Sequence, residues 1–449
     1  MRFVRKHRTI GKRGNHTMNK LSRKDQIFIG ITLFSMFFGA GNLIFPPFLG
    51  LQAGSSVLPA FAGFAVSAIG LPVLGVAAVA RSHGLSALAG RVSRYFAAVF
   101  TMLIYLSIGP CLAIPRTAST SFEMAVTPFV GTVLPWMRAA YSMVFFAAAL
   151  ILALRPLKLV DRLGKRLAPV LLALIAVLFL GCLFTGGTAP GQPVPSYAAA
   201  PAVQGFLDGY QTMDAMAALI FGIVLAANIR ARGIKEDDGV VSVTIRAGFI
   251  AGLLFAAVYG ALTYIGVSRG KPDMTNGAEL LSQTASHLFG TLGMVIVGAI
   301  FVIACLNTCI GLICCCSEYF NQLFPRMSYA AWAVFFAVIS TVIANAGLNA
   351  ILKFSVPILT ALYPMAIMLI ALAFLPASLQ GRRYLYPLAV GAAGIFSILA
   401  ALDASGIVLP CLTDVTRKMP FYAVGLGWLL PGVLGFLAGI LIKTERSHS

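Results

Sequence analysis

Long apolar runs separated by short polar loops dominate this chain. About twelve such runs can be laid along it, at residues 26–50, 57–80, 95–115, 139–155, 168–185, 207–229, 247–268, 288–317, 329–345, 351–375, 385–402 and 421–442. A bilayer core about 30 Å thick needs roughly 20 apolar residues per spanning helix. The pattern therefore predicts an all-α integral membrane protein of about twelve transmembrane helices, with boundaries soft by several residues.

Composition agrees with this interpretation. Of 449 residues, 59% are hydrophobic and only 10% are charged, which is far more apolar surface than a soluble fold can bury. The formal net charge of +19 would suggest nucleic-acid binding in a soluble protein. In a membrane protein, positive residues can instead mark the cytoplasmic loops, and their positions along the chain show which explanation applies. Here their positions fit a membrane topology, and no nucleic-acid partner is predicted.

The basic residues lie mainly on one side of the predicted bundle. With a cytoplasmic N-terminus, they follow the second, fourth, sixth, tenth and twelfth runs, at Arg81, Arg91, Arg94, Arg155, Lys158, Arg162, Lys165, Arg166, Arg230, Arg232, Lys235, Arg246, Arg382, Arg383, Lys443 and Arg446. The opposite loops hold Arg116, Arg138, Arg269, Lys271, Arg417 and Lys418. The positive-inside rule therefore predicts that both termini are cytoplasmic.

The first 24 residues are basic and contain no apolar core, so they do not resemble a cleavable signal peptide. They are expected to be a disordered cytoplasmic segment. Met18 is a plausible true start, because "MNKLSRKD" already supplies a basic anchor. Residues 25–449 are predicted to form a single transmembrane domain.

The spans divide into two related halves of five. Residues 26–185 and 206–375 each hold an odd number of spans, so the halves must be inverted, and residues 385–442 add two peripheral helices. The opening span of each half is interrupted, by "FFGAGN" and by "DGYQTMDAM" respectively. Paired interruptions of this kind are the sequence pointer to a binding site in secondary transporters.

The interruption in the first span, "GAGNLIFPP", predicts unwinding near residues 38–42. Gly39 and Gly41 permit unusual backbone angles, and two prolines remove N–H donors. The freed backbone groups would cost several kcal/mol each in lipid unless a ligand satisfies them. The half-helix beginning near Gly41 would favour a carboxylate, and carbonyls around Ser35 and Phe38 could coordinate a cation. The alternative is an ordinary proline kink in a packed helix.

Polar side chains inside two further spans are candidates for binding. Asp214 is a carboxylate within the sixth span, which is costly and usually marks a substrate or ion pathway, although capping of a broken helix is an alternative. Asn307 and Thr308 in "ACLNTCIGL" offer two side-chain oxygens to a hard cation. Their alternative role is to form helix-to-helix hydrogen bonds.

The third span ends in another Gly/Pro-broken stretch, "IGPCLAIPRTASTSFE", which carries Arg116 and Glu123. This stretch could form an outer gate or a polar cap. The five histidines lie away from the centres of spans, and neither a nucleophile triad nor a phosphate loop is present. Eight cysteines show no metal-binding spacing. An enzyme is therefore not predicted.

Four ordered motifs resemble the branched-chain amino acid carriers of the BrnQ type, also called the LIVCS family. They are "FFGAGNLIFPPFLGLQAG", "IGPCLAIPRTASTSFE", "GYQTMDAMAALIFG" and "ACLNTCIGL" with "CSEYF". The resemblance implies a symporter of a bacterial cytoplasmic membrane that carries leucine, isoleucine and valine with sodium or, in some members, protons. It also implies a distant relationship to LeuT-fold transporters, with broken first and sixth helices.

By that analogy the amino acid lies between the two broken helices. Its carboxylate would meet the N–H groups of Ala40 and Gly41. Its ammonium would meet the carbonyls of the same unwound stretch and those of Thr212, Met213 and Asp214. The family's sodium site implies first-span carbonyls with Ala304, Asn307 and Thr308. Asn307 stands where a hydroxyl is expected, and an amide oxygen also coordinates sodium. Asn42 matches the asparagine of a second, substrate-linked sodium site.

Other classes remain open from the sequence. A channel would need a continuous polar lining, and a membrane enzyme or sensor would need a catalytic constellation or an added soluble domain. The nearest competitors are a proton-coupled carrier and a carrier for another small neutral amino acid. The predicted partners are the amino acid substrate and membrane lipid, with sodium or a proton as the transported ion and no cofactor. The sequence leaves the oligomeric state open.

Overall fold

The computed structural model describes residues 22–130, 132–154, 156–234 and 237–442, and all of its regular elements are helices. Most of the predicted N-terminal segment, residues 1–21, lies outside the described residues. The α-helices run in the order α1 Arg23–Phe37, α2 Ala40–Ala53, α3 Val57–Ala65, α4 Leu71–Arg81, α5 Leu85–Gly90, α6 Arg94–Leu106, α7 Ala113–Ala125, α8 Pro135–Ala153, α9 Pro156–Phe184, α10 Pro195–Ala199, α11 Pro201–Tyr210, α12 Asp214–Ala231, α13 Asp237–Arg269, α14 Gly277–Leu323, α15 Tyr329–Ala344, α16 Leu348–Ala373, α17 Ala377–Gln380, α18 Leu385–Ala404, α19 Leu412–Arg417 and α20 Leu429–Leu441.

The all-α membrane architecture is confirmed, whereas the count of twelve spans is not. Seven of the described helical segments are long and apolar enough to cross a bilayer, or eight when α11 and α12 count as one bent span. Two shorter apolar helices, Tyr329–Ala344 and Leu429–Leu441, fall below that length, and Pro169–Phe184 is the apolar part of α9. Part of the difference arises because breaks shorten individual helices without removing the apolar run around them.

The first predicted span is broken where its glycines predict. Helix α1 ends at Phe37, and α2 begins at Ala40 after two non-helical residues. The helix continues through Pro46 and Pro47, so the prolines do not form the break itself. Since proline lacks an N–H, they leave the carbonyls of the residues four positions earlier without a helical partner.

Two further breaks follow the sequence prediction. Helices α11 and α12 meet at an angle of 47° across residues 211–213. In the third span, a π-helical turn at Ser107–Cys111 contains non-helical Gly109 and precedes α7. The wider π-helical turn lets the chain change direction before Arg116.

A buried aromatic cluster fixes α1 against α13. The ring of Phe34 lies 5.0 Å from that of Phe38 and 4.7 Å from that of Phe255, measured between centroids. The ring of Phe255 lies 5.2 Å from that of Tyr259. The cluster places the hydroxyl of Tyr259 beside the first break.

Large apolar side chains also cover the outside of the bundle, as expected for a surface that meets lipid rather than water. Examples with more than half of their surface exposed are Leu58, Val99, Val144, Ile151, Phe249, Val342, Phe354 and Ile395.

Candidate functional site

The two broken spans meet around one small cavity. Measured as the space open to the centre of a water-sized sphere, its volume is about 30 Å³, enough for about two waters. All of the residues predicted to bind substrate line it, namely Ala40, Gly41, Asn42, Thr212, Met213 and Asp214. The structure therefore brings these residues together, while their role in binding stays a prediction.

Asn42 and Asp214 join the two breaks directly. The Asn42 side chain accepts a hydrogen bond from Gly39 N–H at 2.8 Å and donates through Nδ2 to the Asp214 carboxylate at 2.5 Å. Because Gly39 N–H can only donate, the amide oxygen of Asn42 must face it. In this arrangement that oxygen accepts from an N–H group, and its part in a second sodium site stays a prediction.

Tyr259 completes this network and was missed from the sequence. Its hydroxyl donates to the Asp214 carboxylate at 3.1 Å and also contacts Nδ2 of Asn42. A signal was present, because a tyrosine inside an apolar span must find a partner for its hydroxyl. Asp214 thus accepts from two buried donors on two different helices.

Replacing Tyr259 with phenylalanine tests the network. We expect Tyr259→Phe to remove one donor to a buried carboxylate and to lower the Tm of the purified protein, since a hydrogen bond to a charged group contributes about 1.5–3 kcal/mol. Thermal unfolding measures the change. Tyr264→Phe, on the same helix and 37% exposed, is the matched control. Equal Tm values of Tyr259→Phe and the unsubstituted protein would contradict this role.

Arg116 lines the cavity, so its expected place in an outer loop and the polar-cap interpretation are wrong for this residue, while a role in gating stays a prediction. Its side chain is only 3% exposed and lines the cavity. Nη1 donates to the carbonyl of Gln211 at 2.7 Å and Nη2 to that of Thr212 at 3.4 Å. The turn at residues 107–112 brings α7 inward and places the guanidinium against carbonyls that the second break frees.

Met213 carries backbone strain at the second break. It has φ +65° and ψ +7°, the left-handed region that non-glycine residues rarely adopt, and its side chain is buried. Such strain costs about 1–3 kcal/mol and persists only where surrounding contacts enforce it. It allows α12 to begin at Asp214 with the carboxylate at the start of the helix.

The predicted ion ligands also meet. Nδ2 of Asn307 donates to the carbonyl of Ser35 at 2.6 Å and to its hydroxyl at 2.8 Å. Thr308 Oγ1 donates to the carbonyl of Phe38 at 3.0 Å, and Ala304 is buried one turn before them on α14. These contacts are the helix-to-helix hydrogen bonds of the alternative interpretation. They join the residues predicted to bind a cation, with the amide nitrogen of Asn307 facing Ser35.

Neutral oxygens dominate this second cluster. Within the described ranges, no group of three or more His, Cys, Asp or Glu side chains is placed to hold a metal ion. Carbonyl, hydroxyl and amide oxygens suit a weakly held hard cation rather than a transition metal. The role of this cluster in ion binding stays a prediction.

Solved structures share this fold. A manganese transporter of Eremococcus coleocola, solved as a mutant, matches with a TM-score of 0.57 and 14% identity, covering 95% of this chain and 96% of that one. Mhp1, a nucleobase-cation-symport-1 family transporter in a closed conformation, matches with a TM-score of 0.56 and 16% identity, covering 93% and 91%. Together with the two broken helices, the likeness defines a LeuT-like membrane transporter fold.

Sequence comparison identifies the family within that class. The family model described as branched-chain amino acid transport protein matches residues 22–446. Permeases BraB and BrnQ of Bacillus subtilis are each 39% identical, over 429 and 436 residues that cover 94% and 96% of this chain and 96% and 99% of the relatives. The transport system 2 carrier of Pseudomonas aeruginosa is also 39% identical, covering 94% and 97%. The chain belongs to the branched-chain amino acid transport protein family.

Proposed function

We propose that this chain imports leucine, isoleucine and valine together with sodium across the cytoplasmic membrane of a bacterium. The observation that carries the proposal is the meeting of two broken helices around one cavity that holds a buried carboxylate and a buried guanidinium. The names of its relatives, branched-chain amino acid permeases and carriers, support the choice of substrate. The distribution of basic residues supports cytoplasmic termini.

The amino acid would be bound by groups of both polarities. The first N–H groups of α2, at Ala40 and Gly41, have no partner within their helix and carry the positive end of its dipole, which favours a carboxylate. The substrate ammonium would lie toward Asp214 and the carbonyl of Thr212. The hydrocarbon side chain would contact the apolar part of the lining, formed by Met36, Phe37, Ile108, Ala113, Ala217, Phe221 and Leu312.

Sodium would bind where α14 meets the end of α1. Rotation of the Asn307 amide would turn its oxygen toward the ion, beside the carbonyls of Ser35 and Phe38 and the hydroxyl of Thr308. This arrangement couples the ion to the first break, because the same carbonyls terminate α1. One charge moving through 100 mV releases about 2.3 kcal/mol, which supports about fiftyfold accumulation from the potential alone.

The small size of the cavity supports an alternating-access cycle. A volume of about 30 Å³ holds about two waters and no branched-chain amino acid, so the helices around the cavity must separate before substrate enters. In the proposed cycle, sodium orders the first break, the amino acid completes the site, and the broken-helix bundle tilts against the other helices. Binding energy from both ligands then stabilises the closed site.

Uptake into proteoliposomes tests the proposal. Labelled leucine should accumulate when a sodium gradient is imposed at equal pH, and much less when a proton gradient is imposed without sodium. Accumulation driven by protons alone would favour the proton-coupled alternative. Competition by isoleucine and valine, but not by alanine or glycine, would separate this substrate class from other neutral amino acids. If neither gradient drives uptake of any branched-chain amino acid, the symport proposal is wrong.

Thr308 offers a sharper test of the ion site. We expect Thr308→Ala to raise the sodium concentration for half-maximal leucine uptake about 10-fold, because it removes one ligand oxygen worth about 1.4 kcal/mol. Thr341→Ala is the matched control, since Thr341 donates within its own helix to the carbonyl of Ala337 at 2.7 Å. Unchanged sodium dependence in Thr308→Ala would remove this residue from the ion site.

A further inference from the structure

Arg116 is a buried cation whose hydrogen bonds leave part of the guanidinium unused. Its two bonds go to neutral carbonyls, at Gln211 and Thr212. Nε is buried and has no hydrogen-bond partner among the described residues. Within the same described set, no carboxylate oxygen lies within the 4.0 Å of an ion pair with Arg116. A buried guanidinium with a free donor is costly unless an anion meets it.

The guanidinium lies against the start of α2. A Cβ added at Gly41 would meet Nη2 of Arg116 at 2.8 Å and the Cα of Thr212 at 3.0 Å. The backbone at Gly41 is therefore in direct contact with the charged head, which a larger residue would exclude. The first turn of α2, whose N–H groups have no partner within the helix, and the guanidinium of Arg116 therefore line the same cavity side by side.

The negative charge of the cavity is engaged elsewhere. Asp214 accepts hydrogen bonds from Asn42 and Tyr259. Asp214 and Arg116 thus line one cavity without a direct bond between them. Two separated and opposite charges in one small space match the two charges of an amino acid zwitterion.

Resting on the proposed function, we propose that Arg116 binds the α-carboxylate of the substrate directly. The guanidinium stays anchored to the carbonyls of residues 211 and 212, and its remaining N–H groups and the first turn of α2 hold the two carboxylate oxygens. Arginine suits this role because its donors form a planar fork that matches a carboxylate. The protein itself then supplies the counter-charge of the carboxylate, and substrates without a carboxylate are rejected.

A ligand series on the unsubstituted protein tests the proposal without any variant. Leucinamide keeps the ammonium and the side chain of leucine but replaces the carboxylate by a neutral amide. We expect it to displace labelled leucine from the purified protein about 100-fold more weakly than leucine does. Leucinamide that competes as well as leucine would overturn the proposal.

Substitution of Arg116 then assigns the discrimination to this side chain. We expect Arg116→Gln to weaken leucine binding about 10- to 100-fold while leucinamide binding changes less than about threefold, so that the preference for the carboxylate collapses. Arg116→Lys keeps the charge without the fork and should lie between the two. Arg91→Gln is the control, because Arg91 is a half-buried arginine that donates to Gln380 and Tyr386, away from the cavity.

The outcomes separate this inference from the proposed function. If Arg116→Gln weakens leucine and leucinamide equally, the residue is structural and the inference is wrong. If the unsubstituted protein binds none of leucine, isoleucine and valine, the proposed function itself is wrong, and the inference falls with it. Normal leucine binding together with an unchanged carboxylate preference in Arg116→Gln would overturn only the inference.

Discussion

Asp214→Asn is expected to reduce leucine uptake into proteoliposomes at least about 100-fold, equivalent to about 2.7 kcal/mol. Asparagine has nearly the shape of aspartate and retains an oxygen that can accept from Asn42, so the change removes mainly the charge. Loss of that charge takes away the anion proposed to attract the substrate ammonium. It also removes the carboxylate that shares the cavity with the buried guanidinium of Arg116.

Two controls make this result specific. Asp403→Asn removes a carboxylate that pairs with Arg417 at 2.6 Å, where the Arg417 side chain is 52% and the Asp403 side chain 10% exposed. Neither residue lines the cavity, so uptake by Asp403→Asn should be close to that of the unsubstituted protein. Asp214→Glu keeps the charge but displaces it by one methylene, and partial activity is expected. Uptake by Asp214→Asn within twofold of the unsubstituted rate would contradict the role of Asp214.

The breaks in the helices could be predicted from local sequence. Gly39 and Gly41 lower the free-energy cost of unwinding the helix. The carboxylate of Asp214 is costly inside an apolar run unless polar groups surround it, which indicates a break there. Both breaks lie where these residues predict, within two residues of the expected positions. Local signals suffice because backbone flexibility and the cost of a buried charge depend on each segment alone.

The partners across the cavity could not be predicted in the same way. The contact between Tyr259 and Asp214 joins residues 45 positions apart, and that between Arg116 and Gln211 joins residues 95 positions apart. Both depend on how the helices pack, and packing is set by the shapes of many side chains together. Arg116 was placed at the outer end of the third span because hydropathy alone does not show that α7 turns inward.

Hydropathy also could not settle the number of spans, because it does not show where the chain turns. The apolar run from Ala40 to Arg81 counts as one candidate of 42 residues although it contains three α-helices. Hydropathy reports how apolar a segment is and leaves out where the chain turns. Turns inside the membrane require backbone geometry, such as φ +47° at Gly54, that only the folded chain reveals.

The close contact between α2 and α13 predicts a second large effect of a single substitution, on Tm and on leucine uptake. A Cβ added at Gly266 on α13 would lie 1.9 Å from the carbonyl oxygen of Pro47 on α2, closer than any real contact allows. Backbone must therefore move in Gly266→Ala, and overpacking of this kind costs about 1–3 kcal/mol, occasionally more. We expect a clearly lowered Tm for the purified protein and loss of most leucine uptake, because displacement of α2 shifts Ala40 and Gly41 at the cavity.

Gly260→Ala on the same helix is the matched control, since nothing lies within 4 Å of a Cβ added there. It makes the same chemical change in the same helix and should leave Tm equal or slightly higher, as alanine favours a helix by up to about 1 kcal/mol over glycine. A difference between the two variants therefore reports the contact with α2 and excludes a general effect of alanine in α13. Gly266→Ala with Tm and uptake equal to those of Gly260→Ala would mean that α2 does not depend on this contact for its position. Lowered Tm with normal uptake would separate the stability of α2 from its proposed part in binding, because the cavity would then tolerate a displaced helix start.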